Sequence, residues 1–159
     1  MEREKKTKAF ALILSIILIA LSFLSAHYGV FPHCPVQNRF LYSFFHINFL
    51  HSLVNVWCFL QIVFLYDISF RYVLLSYIVA VIYPVNLFSL LIPITLPTVG
   101  FSAICFCLMG IISWSVKKKV FYHAWVFLFI FIGLLFPVSN FILHLYSYLM
   151  GLLLGYGRI

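Results

Sequence analysis

The sequence predicts an all-α, polytopic membrane protein: one bundle of six transmembrane helices over residues 1–159. Three observations carry that expectation. Of 159 residues, 65% are hydrophobic and 8% charged, a balance typical of chains built from membrane spans. Apolar runs recur six times, at about residues 9–26, 44–65, 72–91, 100–116, 122–136 and 141–156. The basic residues alternate between the gaps. With the N-terminus inside, Arg3, Lys5, Lys6, Lys8, Arg71, Lys117, Lys118, Lys119 and Arg158 fall on the inner side and Arg39 alone on the outer. Such an inside excess of Lys and Arg sets orientation. The expectation is an integral protein of a bacterial inner membrane with both termini cytoplasmic. The net charge of +7 then reads as a topology signal. The expected environment is the lipid bilayer, and no nucleic-acid partner is expected.

The run at 9–26 ends in Ser25-Ala26, small enough for a signal-peptide cleavage site. Its length exceeds the usual apolar core of ~7–15 residues in such peptides, so a retained first span is predicted. Residues 27–43, with His27, Pro32, His33, Pro35, Asn38 and Arg39, read as a loop. The second span ends at a turn over 67–71, and Pro84 should kink the third. Pro93 and Pro97 bar a helix between the third and fourth runs.

Gly100-Phe101-Ser102 opens the fourth run. About 15 residues at 1.5 Å each make ~22 Å of helix, short of the ~30 Å hydrocarbon core. Ser102 is therefore expected on the first turn of a short helix, at the floor of a water-accessible pocket. Lys117, Lys118 and Lys119 turn the chain into the fifth run, and Pro137-Val138-Ser139-Asn140 into the sixth, which ends at Gly157-Arg158. Four cysteines, at 34, 58, 105 and 107, show no CxxC spacing. Three lie in apolar runs and read as small core residues, Cys34 lies in the loop, and no disulfide framework follows.

Polar residues inside spans are expensive and face the bundle interior or a cavity. His46, His51 and Asn55 on the second run, Ser102 on the fourth and His144 on the sixth are expected at one depth. His51 and Asn55 share a helix face. His144, Ser147, Gly151 and Gly155 share another. Ser147-xxx-Gly151-xxx-Gly155 is a small-residue stripe that lets a neighbouring helix approach closely, and Ala103 and Gly110 offer a matching face. Close packing of the fourth and sixth helices would bring Ser102 Oγ to His144, a nucleophile and its base. The first N–H groups of the fourth helix, with His51 and Asn55, would hold an oxyanion. The acids Glu2, Glu4 and Asp67 all fall on the other side, so the unit would be a Ser–His dyad. Three other readings stay open. In the first Ser102 caps a helix and no more, in the second the stripe and histidines only pack, and in the third His46, His51 and His144 bind a metal or haem.

The pattern His46-x4-His51-x3-Asn55, the triplet Gly100-Phe101-Ser102 with Gly110 eight residues beyond the serine, and His144 followed by Ser147 and Gly151 together resemble the signature of rhomboid intramembrane serine proteases. Order, spacing and run assignment match the six-span core of that family along nearly the whole chain. The resemblance implies a serine-type endopeptidase with Ser102 as nucleophile and His144 as general base. His51 and Asn55, with the Ser102 backbone N–H, would form the oxyanion hole, and His46, Gly100, Gly110, Ser147 and Gly151 would be supporting residues. It implies single-span membrane proteins as substrates, cut near the membrane surface at small residues, and no cofactor or metal. The chain departs from the family pattern at Ala103 and Ser147, where glycine is usual, and its first loop lacks the usual Trp-Arg pair. A catalytically silent rhomboid-like protein that binds membrane clients is the alternative those departures favour.

Overall fold

The computed structural model describes residues 2–24, 28–94, 96–136 and 139–156. Ser25-Ala26, His27, Pro137-Val138 and Gly157-Arg158 lie outside them. The described chain is helical: α1 (Glu2–Leu21), α2 (Val36–Leu41), α3 (Phe49–Leu65), α4 (Phe70–Val81), α5 (Val85–Phe88), α6 (Ser102–Ile112), α7 (Lys119–Ile132) and α8 (Phe141–Gly155). Short 3₁₀ turns, Ser113–Ser115 and Gly133–Leu135, close α6 and α7.

The six-span membrane architecture expected from the sequence is corrected here. Among the described residues, no helix is long and apolar enough to cross a membrane. The apolar runs are cut shorter than their residue counts suggest. α4 has 12 residues, because the chain turns before Pro84 and restarts as the four-residue α5. Pro84 ends the helix where a kink was expected. α6 has 11 residues, about 16 Å of rise, and α3, α7 and α8 have 17, 14 and 15. α1 has 20, but Glu2, Glu4, Lys5, Lys6 and Lys8 occupy its first two turns. The integral-membrane assignment, its place in a bacterial inner membrane and the cytoplasmic termini lose their support with the spans. The outer surface still carries large apolar side chains, including Ile16, Trp57, Leu90 and Leu153.

Helix α6 is the hub. Eight of its 11 residues are buried, and α3, α4 and α8 pack around it while α1 packs on α3. The closest approach is between α6 and α8. A Cβ added to Gly110 would meet the Tyr148 carbonyl oxygen, one on Gly151 the Cys107 carbonyl oxygen, and one on Gly155 the Ile111 carbonyl oxygen at 2.6 Å. Ser147, fully buried, belongs to the same stripe. Backbone-to-backbone contact of this kind is open only to residues without a side chain.

The segment expected to be one loop before α3 folds more tightly. It contains α2, whose buried Asn38 donates from Nδ2 to the Gly29 carbonyl at 2.8 Å. His33 N donates to Asn86 Oδ1 at 2.9 Å. His46, expected on the second helix, lies three residues before α3 begins.

Lys8, one of the charges expected to mark topology, makes contacts within the fold. Lys8 Nζ meets Asp67 Oδ1 at 2.6 Å and lies 5.6 Å from the Phe64 ring centroid. The pair ties the start of α1 to the turn after α3. Asp67 stands 16 residues after His51 along α3 and its end, ~24 Å at helical rise. We expect Asp67→Asn to leave any chemistry at Ser102 unchanged. The pair is half-exposed and screened, so the loss should stay below ~1 kcal/mol in a urea melt.

Candidate active site

Ser102 is the first residue of α6, and the turn before it is held at three points. Thr98 pairs with Val30 through both backbone bonds, at 2.8 and 3.0 Å. Gly100 N donates to the Tyr42 carbonyl at 3.0 Å, and Phe101 N donates to His46 Nε2 at 3.2 Å. Gly100 has φ +125°, a conformation that side chains oppose. Phe101 is buried edge-on against Phe59, with centroids 5.1 Å apart. His46, expected as a supporting residue, thus holds the backbone of the turn that carries Ser102. Its Nε2 accepts from Phe101, so its proton sits on Nδ1. Burial, and then the charge of neighbouring His51, push its pKa down to about 4, which keeps the acceptor nitrogen free.

The fold brings Ser102 and His144 together from positions 42 residues apart: Ser102 Oγ lies 2.8 Å from His144 Nε2. The small-residue contact of α8 on α6 makes that approach possible, because His144 lies one turn before Ser147 and two before Gly151. Both residues line a cleft of about 240 Å³ with Ile47, His51, Ser139 and Asn140. Asn140 fixes the start of α8. Its Oδ1 accepts from Leu143 N at 3.0 Å, the work of an N-cap, and its Nδ2 donates to Thr98 Oγ1 at 3.2 Å. One side chain thus joins the turn that carries Ser102 to the helix that carries His144.

Among the described residues, no carboxylate orients the imidazole. An aromatic ring does: Phe106 lies nearly parallel to His144, with centroids 4.5 Å apart and planes at 28°. Sequence reasoning missed Phe106 and Asn140. Phe106 stands four residues after Ser102, on the same helix face, and that spacing is the signal that points to it.

His51 and Asn55 converge on Gly100. A Cβ there would lie 2.8 Å from His51 Cε1 and 3.4 Å from Asn55 Nδ2. His51 Nδ1 and Asn55 Nδ2 are buried without a hydrogen-bond partner. Unsatisfied buried polar atoms are costly and call for an explanation. His51 borders the cleft, while Asn55 lies behind it, 6% exposed. Ala103 and Ser147, the two positions that depart from the expected pattern, are both fully buried, and Ser147 Oγ has no hydrogen-bond partner.

Of the histidines proposed for metal or haem, His46 and His51 lie edge to face, with centroids 5.2 Å apart. Among the described residues, no group of three or more His, Cys, Asp or Glu side chains converges to hold a metal ion.

His144 opens on the cleft at one edge and is otherwise enclosed. Burial, and then the charge of His51, lower its pKa to about 4. A histidine with a depressed pKa is neutral, and able to accept a proton, above that value. Activity that depends on it should rise as pH increases through about 4 and stay flat toward neutrality. For stability the sign is the same. The unfolded imidazole, near 6.5, binds more protons than the folded one, so stability falls as pH drops from 6.5 toward 4. A pH–rate profile with its acid limb near 6.5 would contradict this.

No protein-family model, curated protein or solved structure matches the chain.

Proposed function

We propose that the chain is a serine endopeptidase of the rhomboid kind, using Ser102 and His144 as a dyad. The observation that carries the reading is the 2.8 Å contact between Ser102 Oγ and His144 Nε2, inside a cleft and at the start of a helix. By the same resemblance, the substrates are apolar helical segments of membrane proteins that unwind at small residues.

In this reading the steps follow the protons. As Ser102 Oγ bonds to the scissile carbonyl carbon, its proton passes to His144 Nε2. The carbonyl oxygen becomes an oxyanion beside the Ser102 N–H at the positive end of α6. His144 returns the proton to the departing amine, the C–N bond breaks, and an acyl-serine remains. His144 then takes a proton from water as that water attacks the acyl carbon, and gives it back to Ser102 Oγ. Phe106 holds the ring plane throughout.

In this reading the His51 and Asn55 side chains support the oxyanion more strongly than the ground-state carbonyl, which favours the transition state. Removing one donor of such a set costs ~10²–10³ in rate. Because the backbone donor stays, His51→Ala and Asn55→Ala should slow turnover without erasing it. Turnover and melting temperature measured together decide their role. Full turnover with only a lowered melting temperature would remove both residues from the reaction.

The reading itself is tested by incubating the purified protein with a panel of single-span substrates and sequencing the new N-termini. Cleavage within the apolar segment by the wild type, and none by Ser102→Ala, is the expected result. Equal cleavage by both would overturn it.

A further inference from the structure

We propose that His123 of α7 is a positioning residue for the reaction at Ser102: bonded to the buried hydroxyl of Tyr148, it keeps α7 packed on Phe106, the ring that stacks on His144. The bond stands on its own geometry; its effect on turnover rests on the serine-peptidase reading above.

Helix α7 is thinly packed. Only Val126 and Ile130 of its 14 residues are buried, against five of 15 in α8 and six of 17 in α3. Apolar packing alone therefore holds it weakly, and directional bonds decide where it sits. Tyr122 Oη donates to the Met109 carbonyl of α6 at 2.8 Å. In the next residue, His123 Nδ1 shares a hydrogen bond with Tyr148 Oη of α8. Val126, Phe127 and Ile130 follow His123 by three, four and seven residues, so the histidine extends the buried face of α7 by one turn. Phe127 meets the Tyr148 ring edge to face, with centroids 5.7 Å apart.

Tyr148 is fully buried and stands one turn after His144 on the same face of α8. With Val126 and Ile130 it forms a small apolar cluster, and Phe106 of α6 packs against that cluster. Phe106 also stacks on the His144 ring, with centroids 4.5 Å apart. Tyr148 and Phe106 thus join His123 to His144.

The consequence falls on the plane of the imidazole. Among the described residues no carboxylate holds His144, so packing sets the direction of its Nε2 toward Ser102 Oγ. Without His123, the Tyr148 hydroxyl is left buried and unsatisfied, a costly state that it escapes by moving toward water. Helix α7 then shifts, Phe106 loses its backing, and the imidazole turns away from Ser102 Oγ for part of the time. A misplacement of ~1 Å at a reacting centre can cost ~10²-fold. His123 is not among the residues that line the cleft, so substrate binding should hold while the chemical step slows.

The test measures the rate at which a fluorophosphonate labels Ser102, together with kcat and KM for a single-span substrate. The variants are His123→Ala, His123→Asn and Tyr148→Phe in the full chain. His123→Ala should slow labelling and lower kcat by ~10-fold while KM stays within ~2-fold of wild type. His123→Asn places an amide where Nδ1 stood, can donate or accept, and should restore most of both rates. Tyr148→Phe keeps the ring and loses the hydroxyl. It should match His123→Ala, and combining the two should be no worse than either, because both remove one bond. If Tyr148→Phe does not fold, the two His123 variants decide. Wild-type labelling in His123→Ala, or asparagine no better than alanine, would overturn the positioning role whatever the melting temperatures. If the wild type shows neither labelling nor Ser102-dependent turnover, the peptidase reading fails. The His144 ring then decides the positioning role: its Cε1–H NMR signal, shifted by the stacked Phe106 ring, should move in His123→Ala and return in His123→Asn. An unmoved signal in His123→Ala would overturn it.

Discussion

Ser102→Ala is expected to abolish cleavage, with His144→Ala equally severe and the double variant no worse than either. The reason is the single contact between Ser102 Oγ and His144 Nε2 at 2.8 Å. Nucleophile and base act as one unit, and losing either member of such a unit typically costs ~10⁴–10⁶ in turnover. The structural cost should be small by comparison. Ser102 Oγ contributes one hydrogen bond, worth ~1 kcal/mol, and α6 keeps its packing. A large fall in turnover with a nearly unchanged melting curve therefore separates chemistry from folding. A double variant much worse than either single one would mean that the two residues act independently. Chelators should leave the rate unchanged, because the proposed steps use no metal.

The second large effect is expected at Gly151, far from the reacting atoms. On an exposed helix, replacing glycine by a residue with a side chain gains up to ~1 kcal/mol. Here the sign reverses. A Cβ at Gly151 would run into the Cys107 carbonyl oxygen of α6. That atom is backbone in the most buried helix and has nowhere to move. Gly151→Val should force α8 away from α6, costing ~3 kcal/mol or more. It should also separate Ser102 from His144, with turnover falling ~10²-fold or further in whatever stays folded. Leu153→Ala, on the outer face of the same helix at 70% exposure, is the control and should change stability by under ~0.5 kcal/mol. Equal effects of the two substitutions, measured by urea melts, would mean that the α6–α8 contact does not organise the site.

Much of the helical content is visible in the sequence, because apolar runs bounded by proline and charge mark helices wherever they are buried. Hydropathy counts residues, however, and does not see where the backbone turns. The run at 72–91 reads as one span, yet the chain leaves helix before Pro84, and the piece that remains has 12 residues. The fourth and fifth runs lose their last turns to 3₁₀ geometry at Ser113–Ser115 and Gly133–Leu135. These losses turn an expected membrane bundle into a set of helices none of which, among the described residues, is long and apolar enough to cross a membrane.

The candidate site is legible to a different degree. Ser147-xxx-Gly151 and Gly110 point to close packing, because small residues at a four-residue spacing form one stripe. His46 carries no periodic signal, since it lies off the helix, and its bond to Phe101 N links positions 55 residues apart. The Asn140–Thr98 bond is likewise long-range, and no local pattern announces it. Phe106 was within reach, because an aromatic residue one turn after a candidate nucleophile shares its helix face.

Labelling by a fluorophosphonate tests the central claim most directly, because it reads the reactivity of Ser102 without needing the natural substrate. The purified protein is incubated with the probe, and the modified peptide is identified by mass. The account predicts one adduct, on Ser102, lost in His144→Ala because the base no longer takes the hydroxyl proton. No adduct on Ser102 in the folded wild type, or an adduct that forms as fast in His144→Ala, would contradict it.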